Sequence, residues 1–99
     1  FISLLTLLYM ELGGNISLEG FDSLEPASLV VLKKIVGNYA RKISEIKQFK
    51  KLILTYNKPE IEARLELEGR ELKEKESGNN LFVILADVLN RILNLTKAL

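Results

Sequence analysis

At 99 residues, with 47% hydrophobic and 27% charged side chains, the chain has the length and composition of one globular domain rather than a disordered tail. Cysteine and histidine are both absent, which excludes disulfides, zinc–thiolate sites, thiol nucleophiles and the side chain most used for proton transfer near neutral pH. The net charge of +1 conceals a basic middle, Lys33 to Lys58, followed by a glutamate-rich stretch, Glu60 to Glu76.

Residues 1–14 form an apolar amino-terminal segment, expected as an extra helix or an extension of the domain. The run Phe1 to Tyr9 is too short for a bilayer, which needs ~20 apolar residues. It lacks a basic flank and a small-residue cleavage site, so it does not read as a secretory signal. It is either a packing element or lies outside the functional domain, with Met10 near the natural start. Residues 15–99 are expected to fold as a single soluble domain, and the absence of cysteine fits a cytoplasmic one.

Residues 15–21 alternate Ile16 and Leu18 against Ser17 and Glu19, which predicts a short half-buried strand after the Gly13-Gly14 break. Pro26 suits a first helical turn. From Ala27 to about Ile46 the set Leu29, Leu32, Ile35/Val36, Tyr39, Ile43 and Ile46 recurs every three or four residues, predicting an amphipathic helix. Its other face carries Lys33, Lys34, Gly37, Asn38, Arg41 and Lys42. Gly37 is either a point of close approach or a tolerated surface residue.

Residues 49–56 set Leu52, Leu54 and Tyr56 against Lys51, Ile53 and Thr55, and Asn57-Lys58-Pro59 turns the chain. Residues 60–68 alternate cleanly, with Ile61, Ala63, Leu65 and Leu67 on one side and glutamates and Arg64 on the other. That pattern requires a sheet with one packed face and one wet face, which favours antiparallel pairing. Gly69 supports a tight hairpin into residues 70–76, whose charge suits an edge strand, although periodicity alone also allows a helical turn or a loop. After the break at Ser77-Gly78-Asn79-Asn80, residues 81–97 predict a second helix with Leu81, Phe82, Leu85, Val88, Leu89 and Ile92 facing the core. Val83, Ile84, Leu93 and Leu95 widen its apolar surface beyond one face, so residues 1–9 or a second copy of the chain are expected to cover them. The fold class is therefore α+β: β-α-β-β-β-α, a four-stranded mainly antiparallel sheet with two helices on one face.

The sequence holds no phosphate-binding glycine loop and no histidine base for Ser44 or Thr55, and the glutamates at 60, 62, 66 and 68 read as solvated strand residues. The inventory points away from catalysis, with no metal, no cofactor, no small-molecule substrate and no membrane partner indicated. Binding is better provided for. Lys34, Asn38 and Arg41 fall at i, i+4 and i+7 on the first helix, flanked by Lys33 and Lys42. Such cations and amides suit phosphate contacts, and they equally suit an ordinary polar helix face.

Three local features resemble the ribosome hibernation-promoting factor and ribosome-associated inhibitor family. They are the opening strand Ile16-Ser-Leu-Glu-Gly leading to a helix near Pro26-Ala27, the hairpin Ile61-Glu-Ala-Arg-Leu-Glu-Leu-Glu-Gly-Arg-Glu-Leu, and the helix opened by Asn80-Leu81-Phe82 that reaches Arg91-Ile92. The resemblance spans about residues 15–97. It implies docking on the small ribosomal subunit through basic helix surfaces and interference with translation, with Lys42 and Arg91 as carried-over basic positions. The chain departs from the family after Arg91, where Asn94, Thr96 and a lone Lys97 stand in place of further cations. Double-stranded RNA-binding domains share an α-β-β-β-α order, but their second helix opens on lysines aimed at phosphate. Asn79-Asn80-Leu81-Phe82-Val83 supplies none. Two readings follow: a ribosome- or RNA-associated protein using Lys33, Lys34, Asn38, Arg41, Lys42 and Arg91, or a homodimerising module with Val83, Ile84, Leu93 and Leu95 in its interface.

Overall fold

The computed structural model describes residues 15–99; the apolar segment 1–14, with its expected packing role, lies outside the described residues. The element order is β1 (Ile16–Glu19), α1 (Pro26–Ile46), β2 (Lys51–Asn57), β3 (Glu60–Leu67), β4 (Arg70–Ser77) and α2 (Leu81–Lys97). The strands form one sheet in the order β1-β2-β3-β4. The β2–β3 and β3–β4 pairs are antiparallel hairpins, whereas β1 runs parallel to β2. A parallel neighbour needs a long crossover, and the 21-residue α1 supplies it. The sheet is thus mixed. No described helix is long and apolar enough to cross a membrane.

Strand alternation decides which face is covered. Ile16 and Leu18 of β1, Leu52 and Leu54 of β2, and Ile61, Ala63, Leu65 and Leu67 of β3 all enter one core beneath the two helices. The opposite face presents Glu62, Arg64 and Glu66 of β3 and Lys73 and Lys75 of β4, with Ile53 buried between cross-strand neighbours Ser17 and Arg64. Burying each Leu or Ile side chain of the core contributes roughly 1.5–3 kcal/mol relative to exposure.

α1 starts from an extended Glu25, with Pro26 in its first turn, and buries Leu29, Leu32, Val36, Ala40 and Ile43. Ile46, expected in the core, is the last residue of the helix and remains 44% exposed, because the chain turns into the extended Lys47 immediately afterwards. Phe49, expected at the start of a strand, precedes β2 and is buried in the core. α2 is opened by Asn80, whose side-chain oxygen accepts hydrogen bonds from the amides of Phe82 at 3.0 Å and Val83 at 3.3 Å. That satisfies two of the orphan donors of a helix start.

Gly20 lies close against a neighbouring strand. Its φ is +85°, and a Cβ there would collide with the Tyr56 carbonyl oxygen on β2. The adjoining Phe21 ring stacks on Tyr56 with centroids 5.3 Å apart. Residues 70–77, open to more than one reading in the sequence, form a full strand because β3 offers them a complete antiparallel ladder from Glu60 to Leu67.

Candidate nucleic-acid interface

The helical period that buries Leu32, Val36 and Ile43 of α1 turns Lys34, Asn38, Arg41 and Lys42 to solvent. All four are exposed on the same side of the helix. The Asn38 side-chain oxygen accepts a hydrogen bond from Arg41 Nη2 at 3.4 Å, and Lys42 Nζ sits 5.3 Å from the centre of the Tyr39 ring. These contacts engage Arg41 and Lys42 without neutralising them. Glu45 is the one carboxylate of α1, and among the described residues no carboxylate forms an ion pair with Lys34, Arg41 or Lys42. Lys33 is half-buried and already partnered, so it stands apart from the group.

Arg91 does not join this surface. It projects from α2 toward β4, where Nη2 meets a Glu76 carboxylate oxygen at 2.7 Å and Nη1 lies 3.8 Å from Glu74. Nη1 also donates to the Lys75 carbonyl oxygen at 3.3 Å. The Glu76 hydrogen bond, then the charges of Glu76, Glu74 and Asp87, raise the guanidinium above its ordinary pKa despite some desolvation. Arg91 is therefore a clamp between α2 and the edge strand. Glu74 and Glu76 lie on the helix side of β4, across from Ala63 and Ile61, which is why they can reach it.

The four apolar residues expected at an interface separate into two pairs. Ile84 and Leu93, at 4% and 6% exposure, belong to the domain's own core and are withdrawn from any contact surface, because α2 buries a wider arc than the expected stripe. Val83 at 54% and Leu95 at 37% remain accessible. Thr96 is buried within the same arc, its hydroxyl donating to the Ile92 carbonyl oxygen at 2.8 Å. Among the described residues no cluster of carboxylates is arranged to hold a metal ion.

The crystal structure of the Thermus thermophilus Protein Y N-terminal domain shares this fold, with a TM-score of 0.61 over 84% of this chain and 93% of that one. The two sequences are 13% identical, so the likeness is one of fold. No protein-family model and no curated protein matches the sequence. The β-α-β-β-β-α architecture expected from periodicity and from the family resemblance is the one observed.

Proposed function

We propose that the chain is a ribosome- or RNA-associated binding protein of the translation-inhibiting, hibernation type, docking through the exposed face of α1. The observation that carries this reading is the grouping of Lys34, Asn38, Arg41 and Lys42 on one solvent-facing side, with no described carboxylate paired to the three cations. Unpaired cations are available to replace the counterions of a phosphate backbone, and an amide between them adds a donor suited to phosphate or sugar oxygens. The family resemblance at Ile16-Ser-Leu-Glu-Gly and Asn80-Leu81-Phe82, with the fold shared with the Protein Y domain, supports the ribosomal setting. Arg91 is left out of the contact set because Glu74 and Glu76 already occupy it.

Co-sedimentation with small ribosomal subunits over a salt series tests the proposal. The wild-type chain should migrate with the subunit at low salt and dissociate as salt rises. A variant carrying Lys34→Glu, Arg41→Glu and Lys42→Glu should keep its circular dichroism spectrum and lose the association. Retained association by the folded variant would refute docking through α1.

A further inference from the structure

β4 is the last strand of the sheet, and among the described residues no strand covers its outer side. An uncovered edge is a row of unpaired donors and acceptors, and alternating charge on it ordinarily blocks pairing with another chain. The charges of β4 are arranged differently. Read against itself in the antiparallel direction about Leu72, the strand places Leu72 opposite Leu72, Arg70 opposite Glu74, and Glu71 opposite Lys73, the last two pairs occurring twice by symmetry. We propose that the outer edge of β4 pairs in this register with β4 of a second copy of this chain, joining the two sheets into one continuous sheet. This proposal is independent of RNA binding.

The faces agree with the register. Residues opposite each other in an antiparallel pair project from the same face. Arg70, Leu72 and Glu74 lie on the helix side of β4, across from Leu67, Leu65 and Ala63 of β3, while Glu71 and Lys73 lie on the open side across from Glu66 and Arg64. Each proposed contact therefore joins two side chains from one face. Neighbouring registers of the same parity are worse. Centring on Glu71 sets that glutamate against itself. Centring on Lys73 makes as many opposite-charge pairs, Glu71 with Lys75 and Arg70 with Glu76, but it opposes two lysines and puts Leu72 against Glu74, where the Leu72 register joins the two leucines. In the Leu72 register the like-charged meeting is Glu68 with Glu76, and each already has a cation of its own: Lys50 at 3.7 Å and Arg91 at 2.7 Å.

The helix layer fits the same arrangement. α2 packs over β3 and β4. With strands ~4.8 Å apart, two such helices on a joined sheet would run antiparallel about 10 Å from each other, within the range of packed helices. Arg91 marks the side of α2 that faces β4. Val83 and Leu95 lie within an arc of about 120° that includes it, and both are exposed. A second copy would cover apolar surface that is exposed among the described residues of one copy.

Charge exchange provides the test. In Glu71→Lys the pair becomes lysine against lysine, and in Lys73→Glu it becomes glutamate against glutamate, each twice per dimer. An equimolar mixture restores two opposite-charge pairs. Light scattering and sedimentation over a dilution series should show a concentration-dependent dimer for the wild-type chain. Dimerisation should weaken by about tenfold or more in each variant and recover in the mixture. Both positions are exposed, and circular dichroism verifies folding. Because Glu71 also lies 3.7 Å from Arg64 within its own sheet, Lys73→Glu carries the comparison alone if Glu71→Lys fails to fold. A wild-type chain that stays monomeric throughout, variants that dimerise as well as the wild type, or a mixture of folded variants that does not recover would each overturn the proposal.

Discussion

Lys42→Ala removes one exposed cation from α1 and leaves the buried stripe from Leu29 to Ile43 intact. If Lys34, Arg41 and Lys42 each seat against a phosphate, binding releases about three condensed counterions' worth of charge. The logarithm of affinity should then fall against the logarithm of salt with a slope of about −2 to −3. A fourfold rise in salt should cost roughly 20- to 40-fold in affinity. Lys42→Ala should make the slope shallower by about 0.7 to 0.9 and weaken binding to RNAs of unrelated sequence alike. Arg91→Gln should leave the slope unchanged, since Glu76, Glu74 and the Lys75 carbonyl already engage that guanidinium. Its effect should instead be a loss of thermal stability, as α2 loses its tie to β4. Fluorescence anisotropy of a labelled RNA titrated at several salt concentrations measures both slopes. A wild-type slope near zero, or one that responds to Arg91→Gln and not to Lys42→Ala, would rule out phosphate contact through this face of α1.

Gly20→Ala and Gly69→Ala form a matched pair, because both glycines have positive φ but only Gly20 has a backbone against its missing Cβ. Urea denaturation should show a loss of about 1 kcal/mol at Gly69, the cost of left-handed backbone for a non-glycine residue. The loss at Gly20 should reach about 2–5 kcal/mol as the Tyr56 strand is forced away, and equal losses at the two sites would contradict the close approach. Leu93→Ala should cost about 2–4 kcal/mol by opening a core cavity, whereas Leu95→Ala at low protein concentration should stay within about 1 kcal/mol. Urea midpoints with unchanged slope separate the two. Asn80→Ala removes the oxygen that caps Phe82 and Val83 and should cost about 1 kcal/mol, measurable in the same way.

Much of the fold was legible in local spacing. Alternation from Ile61 to Leu67 dictated a strand with one wet face, and the recurrence of Leu29, Leu32, Val36 and Ile43 dictated a helix with its cations on the far side. Helical periodicity assigns both faces at once and so placed Lys34, Asn38, Arg41 and Lys42 on the exposed side, whereas Lys33, expected beside them, is half-buried and partnered. Other features depended on which elements meet. The composition of residues 70–77 suited a strand, a turn or a loop until β3 supplied a partner. The parallel direction of β1 was hidden because alternation is identical in parallel and antiparallel strands.

The same division separates the basic residues. Arg91 looked like another surface cation, and only the packing of α2 beside β4 brought it to Glu74 and Glu76. Ile84 and Leu93 looked like surplus apolar surface until the helix was seated deeply enough to bury them. By itself the sequence determined the periodicities, and so the identity of the elements and the side of each that seeks the core. Beyond the hairpin signalled by Gly69, tertiary structure decided the partners, because contact between distant segments depends on strand order and helix placement, neither of which leaves a signature in neighbouring residues.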